Sequence, residues 1–142
     1  MSVMSRTVLA DAGVLVALLD RKDPEHERVV AAGRRLSKQP LLTTWPCLTE
    51  AMYLLHQTGG HPAQDSLWGL LTNGYLHAHD LSAGEQQRMR ELMTKYADTP
   101  MDLADASLVT VAESLGLRQV FTLDDDFYLY RLADGATLEV IP

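Results

Sequence analysis

Asp98-Thr99-Pro100-Met101-Asp102-Leu103-Ala104-Asp105-Ala106-Ser107-Leu108-Val109-Thr110-Val111-Ala112-Glu113-Ser114-Leu115-Gly116 reads, from Leu103 onward, as a helix apolar on nearly every side. Leu103, Ala104, Ala106, Leu108, Val109, Val111, Ala112 and Leu115 leave it little polar surface, the mark of a buried helix. Its first turn nevertheless holds two carboxylates. At about 100° per residue, Asp102 and Asp105 project roughly 60° apart, side by side where the helix begins. An ionised carboxylate is costly to bury alone, so the pair must face water, cap the helix or hold a cation.

Beyond Gly116, residues 120–123 form a β-type run that ends in Asp124-Asp125-Asp126. A short helix over residues 127–132 and a last strand over 138–141 are expected after it. Upstream, Ser82 and Glu85 have capping-box spacing and open an amphipathic helix holding Met89, Leu92, Met93 and Tyr96. Residues 75–81 read as an edge-type strand. Before it stand two helices: one from Trp45-Pro46 to about Thr58, with Leu48, Ala51, Met52 and Leu55 as its stripe, and one from His61-Pro62 to Asn73-Gly74. Gly59-Gly60 separates them. Leu41 to Thr44 is a second short strand. Asp23-Pro24-Glu25 looks like a helix start, with Asp23 as N-cap and Pro40 closing the segment. At the head of the chain, residues 7–10 form a β-type run, Asp11 ends it, and the apolar segment 14–19 follows as a helix.

Strands alternating with helices predict an α/β layer fold with a mostly parallel central sheet. The chain has 142 residues, which suits one domain spanning 1–142. Sites in such sheets form beyond the carboxyl ends of the strands, so Asp11 and Asp124 should meet at one edge. Net charge is −7, from 12 Lys and Arg against 19 Asp and Glu, and argues against sequence-independent clinging to nucleic acid. The one cysteine, Cys47, fits a reducing compartment. Asp11 interrupts the early hydrophobic segment, and no apolar stretch approaches bilayer length, so a cytoplasmic location with no membrane partner is expected.

Carboxylates converging in a cleft raise one another's pKa unless a cation is present. Oxygen ligands with room for water suit Mg²⁺, with Mn²⁺ as substitute, and such an ion activates water against a phosphodiester. Four segments sharpen this reading: Val8-Leu9-Ala10-Asp11; Thr44-Trp45-Pro46-Cys47-Leu48-Thr49-Glu50-Ala51; Met101-Asp102-Leu103-Ala104-Asp105-Ala106-Ser107-Leu108; and Phe121-Thr122-Leu123-Asp124-Asp125-Asp126-Phe127. In this order they resemble the PIN-domain ribonucleases, above all the VapC-type toxins of toxin–antitoxin pairs. The resemblance spans residues 8–141. It implies a three-layer α/β sandwich and a Mg²⁺-dependent endoribonuclease. Asp11, Glu50, Asp105 and Asp124 would be its catalytic and metal-ligating residues, and one product would carry a 5′-phosphate. Asp102 and Asp126 would stand as further acids behind the four, and Thr122 would orient Asp124 by hydrogen bond. It also implies an RNA substrate, a cognate antitoxin protein and a homodimer, for which the Met-rich helical segments offer an interface.

The residues by themselves leave plainer roles open. Asp11 suits a helix cap, Asp102 an N-cap with Asp105 as a first-turn acid, and periodicity places Glu50 opposite its helix's apolar stripe, as a solvated glutamate. Asp124 to Asp126 suits a turn and does not fit an EF-hand loop, which needs a glycine where this chain has Tyr or Leu. His77 and His79 share a strand face and read as surface residues rather than a zinc site. Trp45 and Trp68 read as core residues rather than base-stacking platforms. Two other functions stay in view. A non-catalytic PIN-like module would bind RNA or protein without cutting. A phosphoryl-accepting receiver domain fits less well, since Ala10-Asp11 gives one acid where a receiver has a pair.

Overall fold

The chain's structure, a computed structural model, describes residues 6–142. Among these residues, five strands lie in the order β3-β2-β1-β4-β5: β1 Val8–Ala10, β2 Leu41–Thr44, β3 Leu76–His79, β4 Gln119–Phe121 and β5 Glu139–Ile141. Each neighbouring pair is parallel, with Leu9 opposite Leu42 and Val120, and Val120 opposite Val140. β1 and β2 are buried at every residue, so both faces of the sheet are covered at its centre. Alternation of inward and outward residues is lost there for that reason.

The helices are α1 Ala12–Leu19, α2 His26–Arg35, α3 Trp45–Thr72, α4 Ala83–Lys95 and α5 Leu103–Leu115. The usual right-handedness of parallel crossovers assigns α1, α2 and α3, which connect β1 to β2 and β2 to β3, to one face of the sheet. The return from β3 to β4 puts α4 and α5 on the other. α1 packs on α2 and α3, and α4 packs on α5, in keeping with that assignment. The expected three-layer α/β sandwich is what forms, with Leu9, Leu15, Leu48, Leu108, Phe121 and Phe127 among its fully buried side chains. No helix among the described residues is long and apolar enough to cross a membrane.

Three helical segments qualify this outline. α3 is broken at Gly60, whose φ of 66° and ψ of −155° are not helical, so the two helices expected on either side of Gly59-Gly60 are present. The Gln64 amide donates to the Met52 carbonyl at 3.1 Å, whereas twelve residues of straight helix span about 18 Å. The second half therefore folds back along the first. α2 begins at His26 and not at Pro24. The Asp23 carboxylate accepts from the Glu25 N–H at 2.8 Å, and the Asp23 carbonyl from the His26 N–H at 3.0 Å, so Asp23-Pro24 makes a turn before the helix instead of capping it. The helix expected over 127–132 is likewise only a 3-10 turn, Asp125–Tyr128.

The chain leaves β1 towards β2 and β3, then returns to β1's other side as β4. That reversal makes a crevice beyond the carboxyl ends of β1 and β4. Asp11 follows β1 directly, Thr122 follows β4, and the N-termini of α3 and α5 converge on the same edge.

Candidate metal centre

Asp11 is the N-cap of α1, and its Oδ1 accepts from the Ala12 N–H at 2.7 Å. Its Oδ2 accepts from the Thr122 hydroxyl at 2.8 Å. The same hydroxyl oxygen accepts from the Asp124 N–H at 3.0 Å. Thr122 thus bonds both the Asp11 side chain and, through its N–H, Asp124. That carboxylate is turned by its own local bond, Oδ1 accepting from the Asp126 N–H at 2.9 Å.

At the start of α5, Asp102 and Asp105 form a reciprocal capping box: Asp102 Oδ1 accepts from the Asp105 N–H at 2.8 Å, and Asp105 Oδ2 lies 3.5 Å from the Asp102 N–H. Asp102 therefore is the N-cap that the plainer reading allowed. Asp105 is 4% exposed. The Tyr130 hydroxyl donates to its Oδ2 at 2.9 Å and also faces the Pro100 carbonyl at 3.2 Å. Sequence reasoning missed Tyr130, and no motif or spacing links it to Asp105 across 25 positions.

Carboxylate oxygens of Asp11, Asp105 and Asp124 lie within 4.8 Å of one another. Glu50 and Asp102 line the same cleft of about 270 Å³, but their oxygens stand outside that tight group. Glu50 is exposed on the first half of α3, as its periodicity indicates. Asp126 is not among the lining residues and touches the cleft only through Asp124. His79 goes elsewhere, with Nε2 at 2.9 Å from both carboxylate oxygens of Glu85.

Burial pushes the Asp105 carboxyl up from 3.8 to about 7, the Asp102 charge adds to this, and the Tyr130 hydrogen bond opposes it. Asp11 is raised by burial against the bonds from Thr122 and Ala12, with Asp124 and Asp102 adding repulsion. Glu50, exposed but partly desolvated at the cleft wall, is raised by that desolvation and then by the charges of Asp102, Asp11 and Asp124. Burial beside Asp11 pushes the Cys47 thiol up to about 12, so it is an inert neutral group under the site. Among the described residues, no Lys or Arg lines the cleft. Acids held this close, with oxygen donors only, fit a hard divalent cation, whose charge would oppose the repulsion among them.

An all-parallel α/β sandwich with a carboxylate cleft at its switch point defines a class of protein suited to metal-assisted chemistry on phosphate esters. Residues 8–133 match the model of the PIN domain, and the chain belongs to the PIN-domain family. It is 27% identical over 136 residues to ribonuclease VapC26 of Mycobacterium tuberculosis, covering 95% of this chain and all of the relative. Among solved structures it superposes on Mycobacterium tuberculosis VapC20, described as a sarcin-ricin-loop-cleaving toxin, with a TM-score of 0.78 at 19% identity, over 95% of this chain and 99% of that one. The VapBC2 complex of Rickettsia felis, bound to a promoter DNA fragment, gives a TM-score of 0.70 at 16% identity, over 96% and 99% of the two chains. FitAcB of Neisseria gonorrhoeae gives 0.61 at 19% identity, over 95% and 96%.

Proposed function

We propose that this chain is a Mg²⁺-dependent endoribonuclease and the toxin of a toxin–antitoxin pair. The observation that carries the reading is the meeting of Asp11, Asp105 and Asp124, three acids distant in sequence, within 4.8 Å in a cleft lined, among the described residues, by no Lys or Arg. Similarity to VapC26 and VapC20 supports the choice of RNA as substrate, and the VapBC2 complex supports an antitoxin partner. Asp11, Asp105 and Asp124 would hold the ion, Mg²⁺ or Mn²⁺. Glu50, across the cleft and more exposed, accepts a proton or hydrogen bond from the attacking water. Thr122 and Tyr130 fix the angles of Asp11 and Asp105, while Asp102 and Asp126 shape the field behind them. When bound, the ion would supply charge neutralisation at the phosphate and a more acidic water. The chain acts as one domain over 1–142, as a homodimer, in the cytoplasm.

RNA cutting by the purified chain should require Mg²⁺ or Mn²⁺, stop with EDTA, and fall by at least about a hundredfold in Asp11→Asn and Asp105→Asn, in line with the loss of a strong electrostatic stabiliser. Circular dichroism should show both variants folded. Full-rate cutting in either variant refutes the assignment of the acids. Binding of RNA without cutting, in every metal tried, would favour a non-catalytic module.

A further inference from the structure

Trp45 and Trp68, expected in the core, are 44% and 47% exposed, and Trp45 stands beside the acidic cleft. Together with Thr49, Tyr53 and Leu103 it lines an open depression of about 650 Å³, whose remaining wall includes Glu50 and Asp102. Those two acids also line the cleft of Asp11, Asp105 and Asp124, so the two spaces are continuous. Tyr53 is 64% exposed and Leu103 51%. Trp45 is not free to swing: its indole N–H donates to Asp80 Oδ1 at 2.8 Å, tying the ring to the residue after β3.

Resting on the ribonuclease reading, we infer that Trp45, with Tyr53 and Leu103 beside it, is a stacking platform for one unpaired base of the RNA strand whose phosphate enters the acidic cleft. The chain's net charge of −7 gives an RNA strand little general attraction away from the cleft, so contacts beside the cleft add to its positioning. Stacking on an aromatic face supplies it, and tolerates any base. A ring already fixed by Asp80 loses little freedom when a base lies on it. A protein partner fits this depression less well. A standard protein interface takes about 800 Å² and 20–30 residues from each side, whereas the apolar groups at this depression, Trp45, Tyr53 and Leu103, continue only into the adjoining hollow of Met52, Trp68 and Leu71. Trp45 is a positioning residue; it reaches no reacting atom.

Steady-state cleavage of short single-stranded oligoribonucleotides in Mg²⁺ tests this. Trp45→Ala should raise KM by about tenfold to a hundredfold, the worth of one stacked base, with kcat within about threefold of the parent. Trp45→Phe should recover most of the loss. Trp45→Leu, which keeps apolar bulk without a π face, should behave like the alanine variant and replaces it if that variant fails to fold. In a series of oligonucleotides with one abasic residue walked along the strand, parent and Trp45→Ala should become equal at a single position. Metal-dependent cutting with unchanged KM in both Trp45→Ala and Trp45→Leu overturns the platform and leaves the nuclease standing. Failure of the parent to cut any RNA overturns the nuclease reading and this inference with it. Conversion of a dimer to a monomer by Trp45→Ala at unchanged KM assigns the face to a second copy and also overturns it.

Discussion

Thr122 stands between two acids that belong to different strands, donating to Asp11 and accepting from the backbone of Asp124. Valine has nearly its shape and neither bond. Thr122→Val should therefore cost about 1–3 kcal/mol in denaturant unfolding, because it strands the Asp124 N–H, and should weaken Mn²⁺ binding roughly 10–100-fold in calorimetry, the usual effect of losing a ligand's supporting bond. Asp105 makes a second, oppositely signed prediction. Its carboxyl is raised from 3.8 to about 7, so between those values the metal-free folded chain keeps a proton that the unfolded chain has released. Its contribution to stability is complete below about pH 4 and lost as pH rises through about 7. In EDTA, the melting temperature should fall across that interval, and Asp105→Asn should make the fall shallower and melt higher than the parent at neutral pH. Asp11 and Glu50, raised in the same direction, leave some slope behind. Asp11 was visible in the sequence where an apolar run ends, and Asp105 as a carboxylate in the first turn of an otherwise apolar helix. Tyr130 was not, since its bond to Asp105 depends on how the segment after the 3-10 turn lies over α5. The expectation for Trp45 and Trp68 failed because a helix stripe says which side chains are apolar and not which of them another helix covers.

The fold-back of α3 depends on one backbone conformation. A residue with a side chain at φ 66° and ψ −155° is strained, so Gly60→Ala should cost about 1–3 kcal/mol in chemical denaturation, while Gly69→Ala, in a regular stretch of the same helix with open space around it, should be neutral or slightly stabilising. A strong effect at Gly69 and none at Gly60 would contradict the kink. The glycine pair made this break legible, as the apolar run made α5 legible and as Ser82 and Glu85 made the start of α4 legible through a capping box that is present. The start of α2 was not. Asp followed by Pro serves a helix N-terminus and a tight turn equally well, and here Asp23 bonds Glu25 two residues on, which closes a turn. The two outer strands, β3 and β5, came out shorter than their apolar runs because only residues that reach a neighbouring strand join the ladder.

Across the molecule, the order of strands could be anticipated only as far as a parallel sheet. Which strand neighbours which is decided by packing of α1 to α3 on one face and α4 and α5 on the other, contacts that leave no periodic trace. The convergence of the acids nevertheless followed from a single rule, that strand ends of a parallel sheet point the same way. Overall negative charge fits this arrangement: a chain that grips polyanions everywhere would have no preference for the one place where its charge can be reversed.

The acids also share an absence of slack. Asp11 adjoins the last residue of β1, two residues separate β4 from Asp124, and Asp105 lies in the opening turn of a helix sealed into the interior. The Asp11–Asp124 spacing is consequently set by the neighbouring strands β1 and β4 and that of Asp105 by the packing of α5, so added length between α1 and α2 or beyond Tyr128 would leave the three carboxylates where they are.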